Sequence, residues 1–299
     1  MPPPALTKSA TPFTGAIVAI VTPFIDDRVD FRALKKLVDW HVVEGTQALI
    51  PCGTTGESAT FQHEEQHQVI GEVVQAAAGR IPVIAGAGSN STREAVSLAI
   101  AAERLGADGI LTITPYYNKP TQEGMYQHFR AVREAMPLPM VLYNVPGRTG
   151  VNLKPETTAR VQALGGLAGV KESTGDCDQV QEMIDRGIPV LCGDDHYTLP
   201  FMALGALGVV SVVGNFAPKL MRRYVDACAR GDLPEARRLH AIVCELQKLT
   251  FSEANPIPAK AAVAALGFCR EEYRLPLVPM TPAKKDLLLA GMRKHGVLI

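Results

Sequence analysis

The sequence predicts a (β/α)8 barrel carrying a small helical C-terminal domain, and three observations support that fold class. From Gly15 onward, short β-branched apolar runs alternate with longer amphipathic stretches, which argues for parallel βαβ units. Eight such runs occur, apolar nearly throughout, as strands buried on both faces must be; this favours a closed barrel over an open doubly wound sheet. No G-x-G-x-x-G follows the first run, so a dinucleotide fold loses its best support.

The strand candidates are residues 16–21, 48–51, 83–85, 109–112, 140–143, 169–171, 190–192 and 208–212, each bounded by Gly, Pro or Asn. Between them, 31–44, 64–78, 92–105 and 122–135 carry helical spacing. After the eighth run the pattern is helical only: 218–230, 234–249, 258–266 and 282–294, several opening with Pro near the first turn. The first of these is expected to close the barrel. The Pro- and Thr-rich residues 1–12 read as a loose tail, 13–232 as the barrel and 233–299 as the helical domain.

Thirty basic residues balance thirty acidic ones over 299 residues. That balance lacks the basic footprint of a nucleic-acid binder and the polybasic patch of a membrane-anchored protein. No apolar run approaches the length of a membrane span, and 16–21 is too short for a signal sequence. The six cysteines form no C-x-x-C pair, so neither a disulfide framework nor a zinc site is expected, and a cytoplasmic setting is the default.

In a barrel of this kind, catalytic groups collect on the loops that follow the strands. Here those loops read Gly53-Thr54-Thr55-Gly56-Glu57-Ser58, Thr114-Pro115-Tyr116-Tyr117-Asn118, Tyr143-Asn144-Val145-Pro146-Gly147-Arg148, Lys171-Glu172-Ser173 and Gly193-Asp194-Asp195. Strand alternation places Lys171 opposite Val170 and Glu172. In an apolar barrel mouth its ammonium loses hydration, which favours the neutral amine a Schiff base needs; the plainer alternative is a solvated lysine at a strand end. Tyr143 is expected to project to the same mouth, where a phenol can pass protons, or else to be a half-buried strand aromatic. Thr54 and Thr55 put hydroxyls on a Gly-flanked turn suited to a small carboxylate, though an ST-turn explains them equally well. Arg148 offers a guanidinium to a carboxylate, or is a surface arginine. Asp194 and Asp195 are expected to cap the next helix, and His63 and His67 to lie on a solvated or interface face.

These motifs, from Phe13-Thr14-Gly15 to the C-terminus, resemble the pyruvate-dependent class I aldolases. Gly53-Thr54-Thr55-Gly56-Glu57 and Tyr143-Asn144-Val145-Pro146 mark the superfamily. Tyr116-Tyr117-Asn118-Lys119-Pro120, Arg148-Thr149-Gly150 and Asn255-Pro256-Ile257-Pro258 look like its dihydrodipicolinate synthase branch. The resemblance implies an enzyme that condenses pyruvate with L-aspartate 4-semialdehyde, without metal or organic cofactor, giving 4-hydroxy-tetrahydrodipicolinate for lysine and diaminopimelate synthesis. Lys171 would form the imine. Tyr143, Thr55 and Tyr117 would relay protons, Tyr117 reaching in from a neighbouring subunit of a homotetramer. Thr54 and Thr55, helped by backbone near Gly193 and Val210, would hold the pyruvate carboxylate, and Arg148 that of the semialdehyde.

The resemblance also implies a cleft for L-lysine as feedback inhibitor, at Ser58, Ala59, Phe61, His63, Asn90, Glu94 and Tyr116, with Gln66 where the best-known inhibited enzymes carry histidine. Glu94 could instead belong to a capping box, Ser91-Thr92-Arg93-Glu94. The nearest alternatives are N-acetylneuraminate lyase and 2-keto-3-deoxy sugar acid aldolases, which typically lack the Arg-Thr-Gly motif. A non-catalytic ligand-binding paralogue would be expected to have lost Lys171 or Tyr143.

Overall fold

The computed structural model describes residues 13–298, so the tail expected over residues 1–12 lies outside the described residues. β1 (Gly15–Ala19), β2 (Ala48–Ile50), β3 (Ile84–Gly86), β4 (Gly109–Ile113), β5 (Met140–Asn144), β6 (Leu167–Glu172), β7 (Val190–Cys192) and β8 (Gly208–Ser211) form one parallel sheet. Its order is β2-β1-β8-β7-β6-β5-β4-β3. The two ends meet through a parallel bridge between Leu49 and Val83, and Leu49 N donates to Pro82 O at 3.0 Å. The sheet is therefore closed into the expected barrel, which leaves no strand edge unpaired.

Closure explains why the strands are apolar on both faces. Ile17, Ala19, Ile50, Ile84, Leu111, Val141 and Leu191 fill the barrel, while Val18, Leu49, Ile110 and Leu142 pack outward under the helices. β6 breaks this simple alternation. Met140 pairs with Leu167 but the next residue, Val141, pairs with Gly169, so Ala168 is the extra residue of a bulge. Ala168 and Lys171 both belong to the inner side, three residues apart, with Val170 outside between them. A bulge re-aims the side chains that follow it, and here it turns Lys171 into the barrel.

α1 (Phe31–Val43), α2 (His63–Ala77), α3 (Thr92–Arg104) and α4 (Gln122–Ala135) lie within a residue or so of their expected bounds. Asp30 starts α1 by accepting Ala33 N–H at 2.9 Å, and Thr121 starts α4 by accepting Gly124 N–H at 3.2 Å. The connections from β5 to β8 carry α5 (Pro146–Thr149), α6 (Pro155–Gln162), α7 (Cys177–Asp185) and α8 (Thr198–Leu204). The sequence pattern did not single these out, because none exceeds nine residues and so short a stretch barely establishes a helical period.

α9 (Pro218–Ala229) packs on β1 and β8 and completes the outer ring. α10 (Leu233–Thr250), α11 (Ile257–Ala265) and α12 (Pro282–Lys294) follow. α10 and α11 rest on the turn Val213–Asn215 that follows β8, so these helices cover part of the barrel's C-terminal rim. α11 is buried from Ile257 to Val263, including Lys260. Among the described residues no helix is long and apolar enough to cross a membrane.

Candidate active site

At that rim lies a cavity of about 200 Å3, lined among others by Thr54, Thr55, Tyr143, Arg148, Lys171 and Gly193. The fold thus brings together six residues drawn from four separate loops, as strand-end placement predicts. Lys171 and Tyr143 are paired across β6 and β5, and both point inward. The Lys171 ammonium sits 3.9 Å from the centroid of the Tyr143 ring. Lys171 is 5% exposed, and among the described residues its Nζ has no hydrogen bond or ion pair. The face of that ring gives it a cation–π interaction in place of a salt bridge.

Behind this pair a buried polar network fixes the two strand ends. Asn144 Nδ2 donates to Glu172 Oε2 at 2.9 Å and to Asn152 Oδ1 at 2.8 Å; Gln179 Nε2 reaches Glu172 Oε2 at 3.1 Å, and Thr174 N reaches Oε1 at 2.8 Å. Burial pushes the Glu172 carboxyl up, and these donors work against it. Glu172 and Asn144 directly follow Lys171 and Tyr143 in their strands, so the network on the outer side holds the reactive side chains on the inner one.

Thr55 is buried on the turn after β2, where Cys52 and Glu57 take left-handed backbone conformations (φ 55° and 58°). Thr22 Oγ1 donates to Gly56 O at 2.8 Å and Gly56 N to Gly53 O at 3.1 Å, which fixes the turn. The Thr55 hydroxyl accepts a hydrogen bond from Asn255 Nδ2 at 2.9 Å, 200 residues away. Arg148, exposed at the mouth on α5, reaches back to Asn255 O at 3.4 Å. Asn255 therefore touches both the inner turn and the mouth. The sequence marked it as part of a motif; its contact with Thr55 needs the C-terminal helices to fold over the rim, which no local pattern reveals.

Gly193 is required by packing. A Cβ there would lie 1.9 Å from Ser173 Oγ and 2.9 Å from Glu172 O, so only glycine lets the end of β7 approach β6 this closely. Val210 instead lies a layer below, within the apolar barrel interior, and Val212 lines the cavity in its place. Tyr117 does not line its own chain's cavity; it stands 89% exposed with φ 70°.

Asp194 stands at the N-cap position of the short turn Asp195–Tyr197, but neither its side chain nor that of Asp195 makes the capping hydrogen bond expected of them. The fully buried Asp195 carboxylate accepts the N–H groups of Val212 and Val213 at 3.0 and 2.9 Å, pinning the end of β8. Asp194 lines the cavity. The Ser91 capping box is also absent: Ser91 makes no side-chain cap, and both Glu94 oxygens are taken elsewhere. Ser89 Oγ donates to Glu94 Oε2 at 2.6 Å, and His63 Nε2 lies 2.7 Å from Oε1. The Ser89 and His63 bonds hold the Glu94 carboxyl below its ordinary range. Asn118 Nδ2 donates to Asn90 O at 2.9 Å beside it, while Gln66 is buried and donates to Gly86 O at 2.9 Å.

Residues 12–294 match the family model described as the dihydrodipicolinate synthetase family. The chain belongs to that family. A 4-hydroxy-tetrahydrodipicolinate synthase of Geotalea daltonii is 51% identical over 290 residues, spanning 96% of this chain and all of its own. The crystal structure of a chloride-inhibited dihydrodipicolinate synthase of Acinetobacter baumannii complexed with pyruvate superposes with a TM-score of 0.93 at 44% identity, covering 96% of this chain and 100% of its own. That of Cyanidioschyzon merolae with lysine bound gives 0.94 at 39% identity, covering 97% and 100%.

Proposed function

We propose that this chain is a 4-hydroxy-tetrahydrodipicolinate synthase, condensing pyruvate with L-aspartate 4-semialdehyde through an imine at Lys171. The observation that carries this reading is the Lys171 amine itself, buried over the Tyr143 ring and unpaired in a cavity that also holds the Thr54 and Thr55 hydroxyls. Beside the Tyr143 phenol and open to the cavity, this amine is placed to attack a carbonyl carbon brought into it.

Nζ attacks the keto carbon of pyruvate, and the carbinolamine loses water to give the iminium. The Tyr143 phenol, with Thr55, passes the protons that this dehydration moves. Thr54 and Thr55, with backbone N–H groups near Gly193, hold the pyruvate carboxylate. Loss of a methyl proton gives the enamine, whose carbon attacks the aldehyde; Arg148 holds the carboxylate of that second substrate. The substrate's amine then closes onto the imine carbon, the C–Nζ bond breaks, and Lys171 is released. Tyr117, exposed and clear of its own cavity, is assigned to the relay of a second copy, making a homo-oligomer, a dimer of dimers, the active form.

L-Lysine is assigned to the cleft around Glu94, bordered by Ser58, Ala59, Phe61, His63, Asn90 and Tyr116. Glu94, whose carboxyl Ser89 and His63 hold below its ordinary range, supplies the negative charge that an ammonium requires, and a relative with lysine bound supports L-lysine as a ligand. One coupled assay tests both parts. Pyruvate with L-aspartate 4-semialdehyde is expected to turn over and sugar-acid aldehydes are not; millimolar L-lysine is expected to slow the rate, and Glu94→Ala to abolish that slowing. No turnover with the semialdehyde defeats the reading, and inhibition that survives Glu94→Ala defeats the assignment of the cleft.

A further inference from the structure

The cavity holds two cations and, among its lining residues, one carboxylate: Arg148, Lys171 and Asp194. In the sheet order β7-β6-β5, the strand bearing Lys171 lies between the two whose ends carry the others. Asp194 follows β7 and Arg148 follows β5, so a negative and a positive group flank the amine from opposite sides. Lys171 is used by the imine and Arg148 by a carboxylate. The proposed function leaves Asp194 unused.

Asp194 differs from the buried carboxylates around it. Glu172 is saturated by Asn144, Gln179 and Thr174, and Asp195 by two backbone N–H groups. Asp194 has no backbone donor and no ion-pair partner within 4 Å among the described residues; the Ser173 hydroxyl is the polar side chain beside it. Burial pushes its carboxyl up, while Lys171, then His196 and Arg148, favour the charged form. Its placement is built in, since the glycine before it is the residue whose missing Cβ lets β7 close on Ser173.

The second substrate of the proposed reaction carries a carboxylate and an α-ammonium. Taking that ammonium out of water without a partner is expensive, and the amine must end up beside the imine carbon to close the ring. We propose that Asp194 is a specificity-determining residue: its carboxylate receives the α-ammonium of the aldehyde substrate while Arg148 receives the carboxylate, so that the cavity selects 2-amino-acid aldehydes over aldehydes lacking the amine. This inference rests on the imine chemistry proposed above.

Asp194→Asn keeps the size of the side chain and removes its charge. Three readouts separate the possibilities: borohydride trapping of pyruvate on Lys171 without second substrate, kcat/KM for L-aspartate 4-semialdehyde, and competition by succinate semialdehyde, which has the same carbon chain without the amine. The expected result is unchanged pyruvate trapping, unchanged succinate semialdehyde affinity, and a fall of about 10- to 100-fold in kcat/KM for the amino aldehyde, the effect of losing one charge-assisted hydrogen bond. If Asp194→Asn fails to fold, Asp194→Ser carries the same three measurements. An unchanged kcat/KM, an equal loss for both aldehydes, or an equal loss in pyruvate trapping overturns the inference and leaves the imine chemistry standing. Absence of pyruvate trapping in the parent chain overturns the proposed function, and the inference with it.

Discussion

Two buried lysines lie over aromatic rings at nearly the same distance: Lys171 Nζ is 3.9 Å from the Tyr143 centroid, and Lys260 Nζ is 4.0 Å from that of Phe24. They differ in everything else around the amine. Lys260, on α11, pairs with the buried carboxylate of Glu57 and donates to Glu272 O at 3.0 Å. Burial pushes its ammonium toward neutrality and Glu57 opposes that. Lys171 has neither partner and opens onto the cavity. The ring beneath an amine therefore does not make it reactive. What separates the structural lysine from the nucleophilic one is whether the amine is held by a carboxylate and a carbonyl or opens onto a cavity.

The comparison is sharpest where each amine is removed. Lys171→Met is expected to lower turnover by at least about a thousandfold while leaving thermal stability near that of the parent, since no ion pair or side-chain hydrogen bond is lost. Retained turnover, or a collapse in stability equal to that of a Lys260 variant, would break the contrast. Lys260→Met is expected to do the reverse. It strands Glu57 in the interior and should cost about 3–5 kcal/mol in denaturant unfolding. Pairing it with Glu57→Gln should recover much of that loss, because the stranded charge rather than the missing bond dominates the cost.

Asn255 gives the smallest effect and links the two regions. It lies two residues before α11 and bonds Thr55 on the turn that also carries Glu57. Asn255→Ala is expected to lower kcat about tenfold, the worth of one buried hydrogen bond, with KM for pyruvate little changed. A rise in KM with unchanged kcat would mean that Asn255 shapes binding and not the position of the Thr55 hydroxyl.

Much of this was legible in the sequence because it is local. Each barrel strand is a short apolar run between turn residues, and Lys171 and Tyr143 are the first polar side chains met toward the C-terminal ends of theirs. What was not legible depends on distance or on competition between partners. Asn255 meets Thr55 across 200 residues, and Lys260 meets Glu57 across a similar span. The bulge at Ala168 is a pairing event between strands that no single strand announces. Ser91 and Glu94 have the spacing of a capping box, yet Ser89 and His63 take the carboxylate first, and the spacing says nothing of that competition. Asp194 and Asp195 are adjacent and chemically identical. Only the paths of the chain after β7 and β8 send one into the cavity and the other onto the Val212 and Val213 amides.

The contrast between the two lysines is tested most directly by covalent trapping. The protein is incubated with pyruvate, reduced with borohydride and digested, and the modified peptide is mapped by mass spectrometry. The expected adduct is a single reduced pyruvate imine on the peptide containing Lys171, absent in Lys171→Met, with the Lys260 peptide unmodified. An adduct on Lys260 or on any other lysine, or no adduct at all, would contradict the account.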